Sequence, residues 1–209
     1  MYITECIDQE HIDEIKMLDQ TLNKNEYIQF YESRLHSNFC EGLIDYLNIT
    51  FRNAILEYFN ESNKDISDYL GSNSYRVSSW KLDVALPPHV DSVQYGGFEQ
   101  ARGPRPSVNV LAYLTDDYED GQIYFPEVDV CITPKAGSIV IFDSDLTHAV
   151  HAVKSGNRQT LSSNLYNIHS PDIEEFKAIG YRYLAPDWCD DCNSNPGEKC
   201  PDCGYTHNC

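Results

Sequence analysis

Basic residues are scarce in this sequence: 15 Lys and Arg stand against 33 Asp and Glu, a formal net charge of −18 over 209 residues. The acids are spread along the chain rather than gathered into a tail, so neither a nucleic-acid backbone nor an anionic membrane is an expected partner. Such a charge keeps a protein soluble, and it also suits a neutral or basic peptide as substrate. Also missing is any run of eighteen apolar residues, so no transmembrane helix is expected. The opening MYITECIDQEHIDEIKMLDQ carries acids where a secretory signal needs a basic stretch and then an apolar one, so a soluble cytoplasmic protein is expected. Cysteine is nearly absent from the first 188 residues, where only Cys6, Cys40 and Cys131 occur, while five more crowd the last 21. That imbalance fits a reduced main domain with a small cysteine cluster attached better than a disulfide scaffold.

The first third reads as helical. Ile12, Ile15, Met17 and Leu18 recur at roughly helical spacing, and Leu43, Leu47, Phe51 and Leu56 repeat the pattern between Phe39 and Phe59, with Ser37-Asn38 as a capping site and 63–74 as a polar connection. From about Tyr75 the texture changes to short runs of Val, Ile, Tyr and Thr between Gly, Pro and Asp clusters. Strands are predicted at 75–86, 107–115, 121–125, 128–133, 138–142, 147–153 and 159–167. So many short strands with few helices among them predict an α+β, mainly β, antiparallel double sheet of the jelly-roll type. Helical support over 1–72, a jelly-roll core over 73–170 and a domain end near 187 complete the expected layout, with 188–209 as a cysteine-rich appendage. Residues 92–106, SVQYGGFEQARGPRP, interrupt the strands with glycines, prolines and two arginines, as either a connector or a substrate lid.

Leu86-Pro87-Pro88-His89-Val90-Asp91 sets an imidazole and a carboxylate two positions apart, close enough along an extended chain for both to reach one metal. A His-x-Asp tripeptide alone is a weak signal. It gains weight from Leu146-Thr147-His148-Ala149-Val150-His151, followed by Arg158. Two histidines and one carboxylate on one face of a metal leave positions open, the arrangement that suits non-haem iron(II) oxygenases; a zinc hydrolase could use the same ligands but has no need of the arginine. Hairpin parity leaves both histidines open. A turn at Ser155-Gly156 puts His151 on the face of Arg158, and a turn that includes Asn157 puts His148 there.

Five ordered pieces then stand in sequence over about 78 residues: His89-Val90-Asp91, Tyr113-Leu114, Gly121 to Pro126 (GQIYFP), Pro134 to Phe142 (PKAGSIVIF), and His148 through Arg158. Together they resemble the prolyl 4-hydroxylase-like group of 2-oxoglutarate and iron(II) dioxygenases. The resemblance implies a double-stranded β-helix of the jelly-roll, cupin-like kind. It also implies Fe(II), 2-oxoglutarate and O2 as cofactors, with ascorbate as a candidate reductant. In that family the distal histidine precedes a basic residue by ten positions, which selects His148. His89, Asp91 and His148 would hold iron, and Arg158 would grip the distal carboxylate of 2-oxoglutarate through its planar fork. The competing reading of Arg158 is a surface ion pair. Where relatives carry tyrosines before the first ligand, this chain has Trp80 and Leu86. Tyr113 is then the candidate for a hydrogen bond to the co-substrate, or else a core aromatic, and Thr160 and Asn164 are further candidates for the pocket wall.

The implied activity is hydroxylation of an unactivated carbon coupled to decarboxylation of 2-oxoglutarate, and Asp91 favours hydroxylation over halogenation. Peptidyl proline is the substrate class the resemblance points to, with Tyr95, Phe98, Arg102 and Arg105 as covering residues; a free amino acid, another small metabolite or a noncatalytic binding module are the alternatives. In the tail, Cys189-x-x-Cys192 and Cys200-x-x-Cys203 suggest a structural zinc knuckle, with His207 or Cys209 as a substitute ligand, against an unliganded or disulfide-linked tail.

Overall fold

A computed structural model describes residues 1–35, 41–71, 75–92, 105–170 and 173. In chain order the elements are β1 (Tyr2–Glu5), α1 (Gln9–Thr21), β2 (Asn25–Glu26), β3 (Phe30–Leu35), α2 (Glu41–Ser62), a 3-10 turn (Ile66–Asp68), β4 (Tyr69–Gly71), β5 (Tyr75–Trp80), β6 (Leu86–His89) and β7 (Val108–Tyr113). There follow β8 (Tyr118–Asp120), β9 (Ile123–Phe125), β10 (Val130–Ile132), β11 (Ser138–Asp143), β12 (His148–Val150), β13 (Val153–Gly156) and β14 (Gln159–Asn167). The large sheet runs β1-β11-β7-β14-β5-β3-β2, with β4 also paired to β14. A smaller sheet runs β10-β9-β12-β6, and β13 pairs with β8. All these strand pairs are antiparallel.

Because side chains alternate across a strand, the large sheet has two different faces. Its outer face carries Val77, Val108, Val110, Ala112, Ile139, Ile141, Leu161 and Leu165, all fully buried under the helices. Helix α2 supplies Leu43, Ile44, Leu47, Phe51, Ile55 and Phe59, and α1 supplies Ile12 and Ile15. The Asp8 carboxylate starts α1 by accepting from the His11 N–H at 3.0 Å, which satisfies one of the donors a helix start leaves open. The inner face meets the smaller sheet. Tyr113, Val140 and Phe142 pack there on Ile123 and Phe125, and beyond this plug the same face turns polar.

The helices fall where the periodicity places them, but helical support over 1–72 needs correction, since β1, β2, β3 and β4 lie in it and join the large sheet. β3 escapes a hydrophobic reading because Glu32 faces inward, buried at 4% exposure, in a run that reads FYESRL. Met17 is 61% exposed, so the buried stripe of α1 is Ile12, Ile15 and Asp19. Asp19 is tolerated there because Lys24 Nζ, Ser33 Oγ and Gln159 Nε2 all donate to it, at 2.7, 2.5 and 3.3 Å. The run at 75–86 divides into β5 and β6, which lie in opposite sheets, and that at 147–153 into β12 and β13. Ser37 and Asn38, most of the 92–106 segment and the cysteine-rich tail lie outside the described residues.

The chain returns to β14 through Gly156, whose φ is +80° and where an added Cβ would stand 2.0 Å from the Asp117 carbonyl oxygen. Gly156→Ala is expected to cost about 2 kcal/mol or more through left-handed strain and backbone displacement, lowering Tm by roughly 4–8 °C in a thermal melt.

Candidate metal centre and anion pocket

β6 begins Leu86-Pro87-Pro88, and two consecutive prolines fit only because β6 is the edge strand of its sheet, where missing N–H donors go unused. Its last residue, His89, is the register partner of His148 on β12, so the two imidazoles stand side by side with centroids 4.2 Å apart. Asp91 lies just past the strand, held because its N–H and that of Ser92 both donate to the Ser144 carbonyl, at 2.9 and 3.0 Å. His89 Nε2 is 3.3 Å from Asp91 Oδ1 and His148 Nε2 is 3.6 Å from Asp91 Oδ2. One ligand atom from each of the three residues lies within 4.8 Å of the others, the one such group that includes both histidines and Asp91 among the described residues.

The rings are oriented for this. The Nδ1 of His89 donates to the Pro87 carbonyl at 2.8 Å and that of His148 to the Leu146 carbonyl at 3.1 Å, which leaves both Nε2 atoms facing Asp91. Phe142 packs edge-on against His148, ring centroids 4.8 Å apart. His151 is exposed and points to Tyr124 instead. Hairpin parity was bound to be silent on this choice, because β12 and β14 belong to different sheets. Burial lowers the pKa of His148, opposed by the Asp91 charge. Burial pulls His89 the same way, but hydrogen bonds to Asp91 and Pro87 outweigh it and the pKa is raised. Burial would raise Asp91, yet the His89 hydrogen bond and the charges of His148, His89 and Arg76 hold it below the ordinary carboxylate range.

Asn109, not anticipated from the sequence, steadies the carboxylate, backed by Asn164, which was expected only as part of the pocket wall. Asn109 Nδ2 donates to Asp91 Oδ2 at 2.8 Å. With its amide oriented to satisfy its neighbours, Asn164 donates to Asn109 Oδ1 at 3.2 Å and accepts from Arg76 Nη2 at 3.2 Å. A lone asparagine inside the apolar run Val108–Tyr113 was the available signal for Asn109.

Arg158 is not a surface group: it is 0% exposed. Its guanidinium lies between the faces of Trp80 and Tyr113, 4.4 and 5.2 Å from the ring centroids, and Nη2 donates to the Tyr113 hydroxyl at 3.1 Å. Nε and Nη1 are buried without a partner among the described residues, as is the hydroxyl of Tyr118, whose pKa burial pushes up to about 12 against the opposing charge of Arg158. A permanently charged group without an anion is costly to bury, so three orphaned donors gathered here make a site for a carboxylate. Trp80 Nε1 donates to Thr160 Oγ1 at 3.3 Å. A cavity of about 280 Å³ between the sheets connects Arg158, Trp80, Thr160 and Asn164 to His89, Asp91 and His148. Tyr113 does not line that cavity; it stands behind Arg158 as a core aromatic. Arg105 borders a separate surface cavity with Lys64 and Asp145, whereas Tyr95, Phe98, Arg102, Cys189, Cys192, Cys200 and Cys203 lie outside the described residues. No helix among the described residues is long and apolar enough to cross a membrane.

Residues 75–166 match the sequence profile of the 2OG-Fe(II) oxygenase superfamily. No curated protein matches by sequence. Among solved structures, the fold is similar to the viral collagen prolyl hydroxylase vCPH from Paramecium Bursaria Chlorella virus-1 in complex with 2OG, at TM-score 0.61 and 17% identity over 80% of this chain and 97% of that one. A Pseudomonas putida prolyl-4-hydroxylase matches at TM-score 0.59 and 15% identity over 79% of this chain and 91% of that one. A Trichoplax adhaerens prolyl hydroxylase, solved with a hypoxia inducible factor peptide fragment, matches at 0.58 and 16% over 79% and 83%. The stretch that resembles the 2OG-Fe(II) oxygenase superfamily, residues 75–166, is thus the one that holds the three convergent side chains and Arg158, in a fold similar to that of the prolyl hydroxylases.

Proposed function

We propose that the chain is a 2-oxoglutarate- and iron(II)-dependent hydroxylase of proline-containing peptides. The observation that carries this reading is the buried Arg158, without an anion among the described residues, facing the same cavity as two imidazoles and a carboxylate that can share one metal. His89 Nε2, His148 Nε2 and an Asp91 oxygen would hold the iron on one face, a donor set that leaves room for a bidentate co-substrate and dioxygen. Arg158 would bind the distal carboxylate of 2-oxoglutarate, and Thr160 would border it. When bound, iron and 2-oxoglutarate supply the oxidising power, through decarboxylation to succinate and carbon dioxide. The protein's own part is geometric. Asn109 fixes the rotation of the Asp91 carboxylate, Trp80 and Tyr113 clamp the guanidinium, and the apolar plug around Phe125 and Phe142 keeps water from the closed end. The peptidyl proline assignment draws on the prolyl hydroxylases among the similar folds, one of them seen with a peptide.

Incubation with iron(II), 2-oxoglutarate and proline-containing peptides should yield a mass gain of about 16 Da, one oxygen atom, and stoichiometric succinate. Asp91→Ala should abolish both; full succinate production by that variant would contradict the assigned ligands. Arg158→Gln should weaken 2-oxoglutarate binding by roughly two orders of magnitude, since a desolvated charge pair loses one partner, while Arg158→Met should leave the apo protein at least as stable as the parent by thermal melt. As pH falls, His89, whose pKa is raised, takes up a proton that metal binding must displace before His148, whose pKa is lowered, does. Cobalt(II) affinity should therefore fall about tenfold per pH unit as pH drops below the His89 pKa, a slope of one proton. A flat profile, or a two-proton slope over the same range, would count against it.

A further inference from the structure

Two arginines line the cavity, and the co-substrate proposed above answers only one of them. Arg76 stands on β5, opposite Ser162 of β14, on the same polar wall as Ser78, Thr160 and Asn164. Its Nη2 is engaged by the Asn164 amide oxygen at 3.2 Å. No carboxylate among the described residues lies within 4.0 Å of it. The nearby acid of that wall, Glu32, is taken by Arg34, whose Nε and Nη2 reach Glu32 Oε1 at 3.2 and 3.1 Å.

The charges of the loaded site then leave a remainder. A divalent cation and Arg158 are matched by Asp91 and the two carboxylates of 2-oxoglutarate, and the Glu32–Arg34 pair is neutral by itself. With Asp91 matched to the metal, Arg76 is left as one positive charge without a counter-ion of its own among the described residues, in a half-buried position where protein walls strengthen its field over that of a surface arginine. Its planar fork has donors to spare once Asn164 is served, the geometry that suits a carboxylate. The position is also tied to the metal. Arg76, Asn164, Asn109 and Asp91 form one hydrogen-bonded chain with steps of 3.2, 3.2 and 2.8 Å, so an anion held by Arg76 is held in register with the Asp91 carboxylate.

We propose that Arg76 is the recognition point for a carboxylate on the substrate, so that the molecule oxidised bears an acidic group near the carbon attacked. The inference rests on the iron and 2-oxoglutarate reading of the site and narrows its substrate class. The carboxylate is supplied either by a free amino or imino acid or by an acidic side chain beside the target residue of a peptide. The net charge of −18 repels polyanions at long range, so the site selects a single local acid rather than an acidic polymer.

The test uses the full chain loaded with iron(II) and 2-oxoglutarate under nitrogen, where ligands bind without turnover. Calorimetric titration compares L-proline with L-prolinamide, and a peptide carrying Glu beside Pro with its Gln counterpart. One acid should bind about tenfold or more tightly than its amide, as the loss of a charge-assisted bidentate contact predicts, and which pair shows the preference identifies the source of the carboxylate. Arg76→Gln should erase the preference, and Arg76→Lys, which keeps the charge but not the fork, should retain part of it. Equal binding of acid and amide in both pairs, binding of none of the four, or survival of the preference in Arg76→Gln overturns the proposal. So does a fall in 2-oxoglutarate affinity of equal size in that variant, which would assign Arg76 to the co-substrate. Should the wild-type chain with iron fail to bind 2-oxoglutarate at all, the functional reading falls first; should it bind without any acid preference, only the role of Arg76 falls.

Discussion

Burial of the Arg158 guanidinium between Trp80 and Tyr113, without a carboxylate beside it among the described residues, is the constraint around which the inner face is organised. A charge that cannot be lost by deprotonation has to be accommodated by what surrounds it, and two aromatic faces with one hydroxyl offset only part of the desolvation. The elements that converge there are accordingly fixed by backbone bonds. Trp80 N–H donates to the Arg158 carbonyl at 3.0 Å, and Thr115 Oγ1 accepts from the Gln159 N–H at 2.9 Å while donating to the Asn157 carbonyl. Gly121 leaves the room: a Cβ there would meet the Arg158 side chain at 3.1 Å and Val153 at 2.8 Å. If Arg158 is the anion site proposed above, the protein would hold it ready at a cost in its own stability, as functional sites commonly do.

The same alternation that builds the core builds the site. On β14, Leu161 and Leu165 face the helices while Thr160, Ser162 and Asn164 face the cavity, so one strand supplies apolar packing on one side and hydrogen-bonding groups on the other. On β5 the division is Tyr75 and Val77 against Arg76, Ser78 and Trp80. The outer contacts hold the wall still. Phe51 meets Tyr75 edge-on at 5.0 Å, and the Tyr75 hydroxyl donates to Asn48 at 2.8 Å, which ties α2 to the strand that bears Arg76 and Trp80. Rigid strands rather than loops therefore carry most of the polar groups, the condition under which hydrogen-bonding geometry is kept within fractions of an ångström.

Much of this was legible in the sequence because it is local. His89 and Asp91 are two residues apart, the runs of β7 and of β9 to β14 have clear β texture though the short acidic β8 does not, and the ordered motif pieces mark the turns between them. What could not be read depends on pairing between distant strands. His148 rather than His151 faces the carboxylate because β12 pairs with β6 in register His148 to His89, a fact no parity count along β12 to β14 contains. Asn109 and Arg76 acquire their roles only when β7, β14 and β5 lie side by side, which brings residues far apart in sequence into one hydrogen-bonded chain. β3 was invisible for the opposite reason: its inward face is charged, so the alternation it follows is not one of hydrophobicity.

One cavity joins the three side chains proposed to hold iron to the buried guanidinium proposed to hold a carboxylate. Chelation of 2-oxoglutarate to iron(II) produces a visible charge-transfer absorption, so an anaerobic titration of the iron-loaded protein reads both halves of the site together. The band should appear at one equivalent of 2-oxoglutarate and be absent with pyruvate at the same concentration, because pyruvate lacks the carboxylate that Arg158 would hold. Iron binding without the band, or a band of equal strength and affinity with pyruvate, would contradict it.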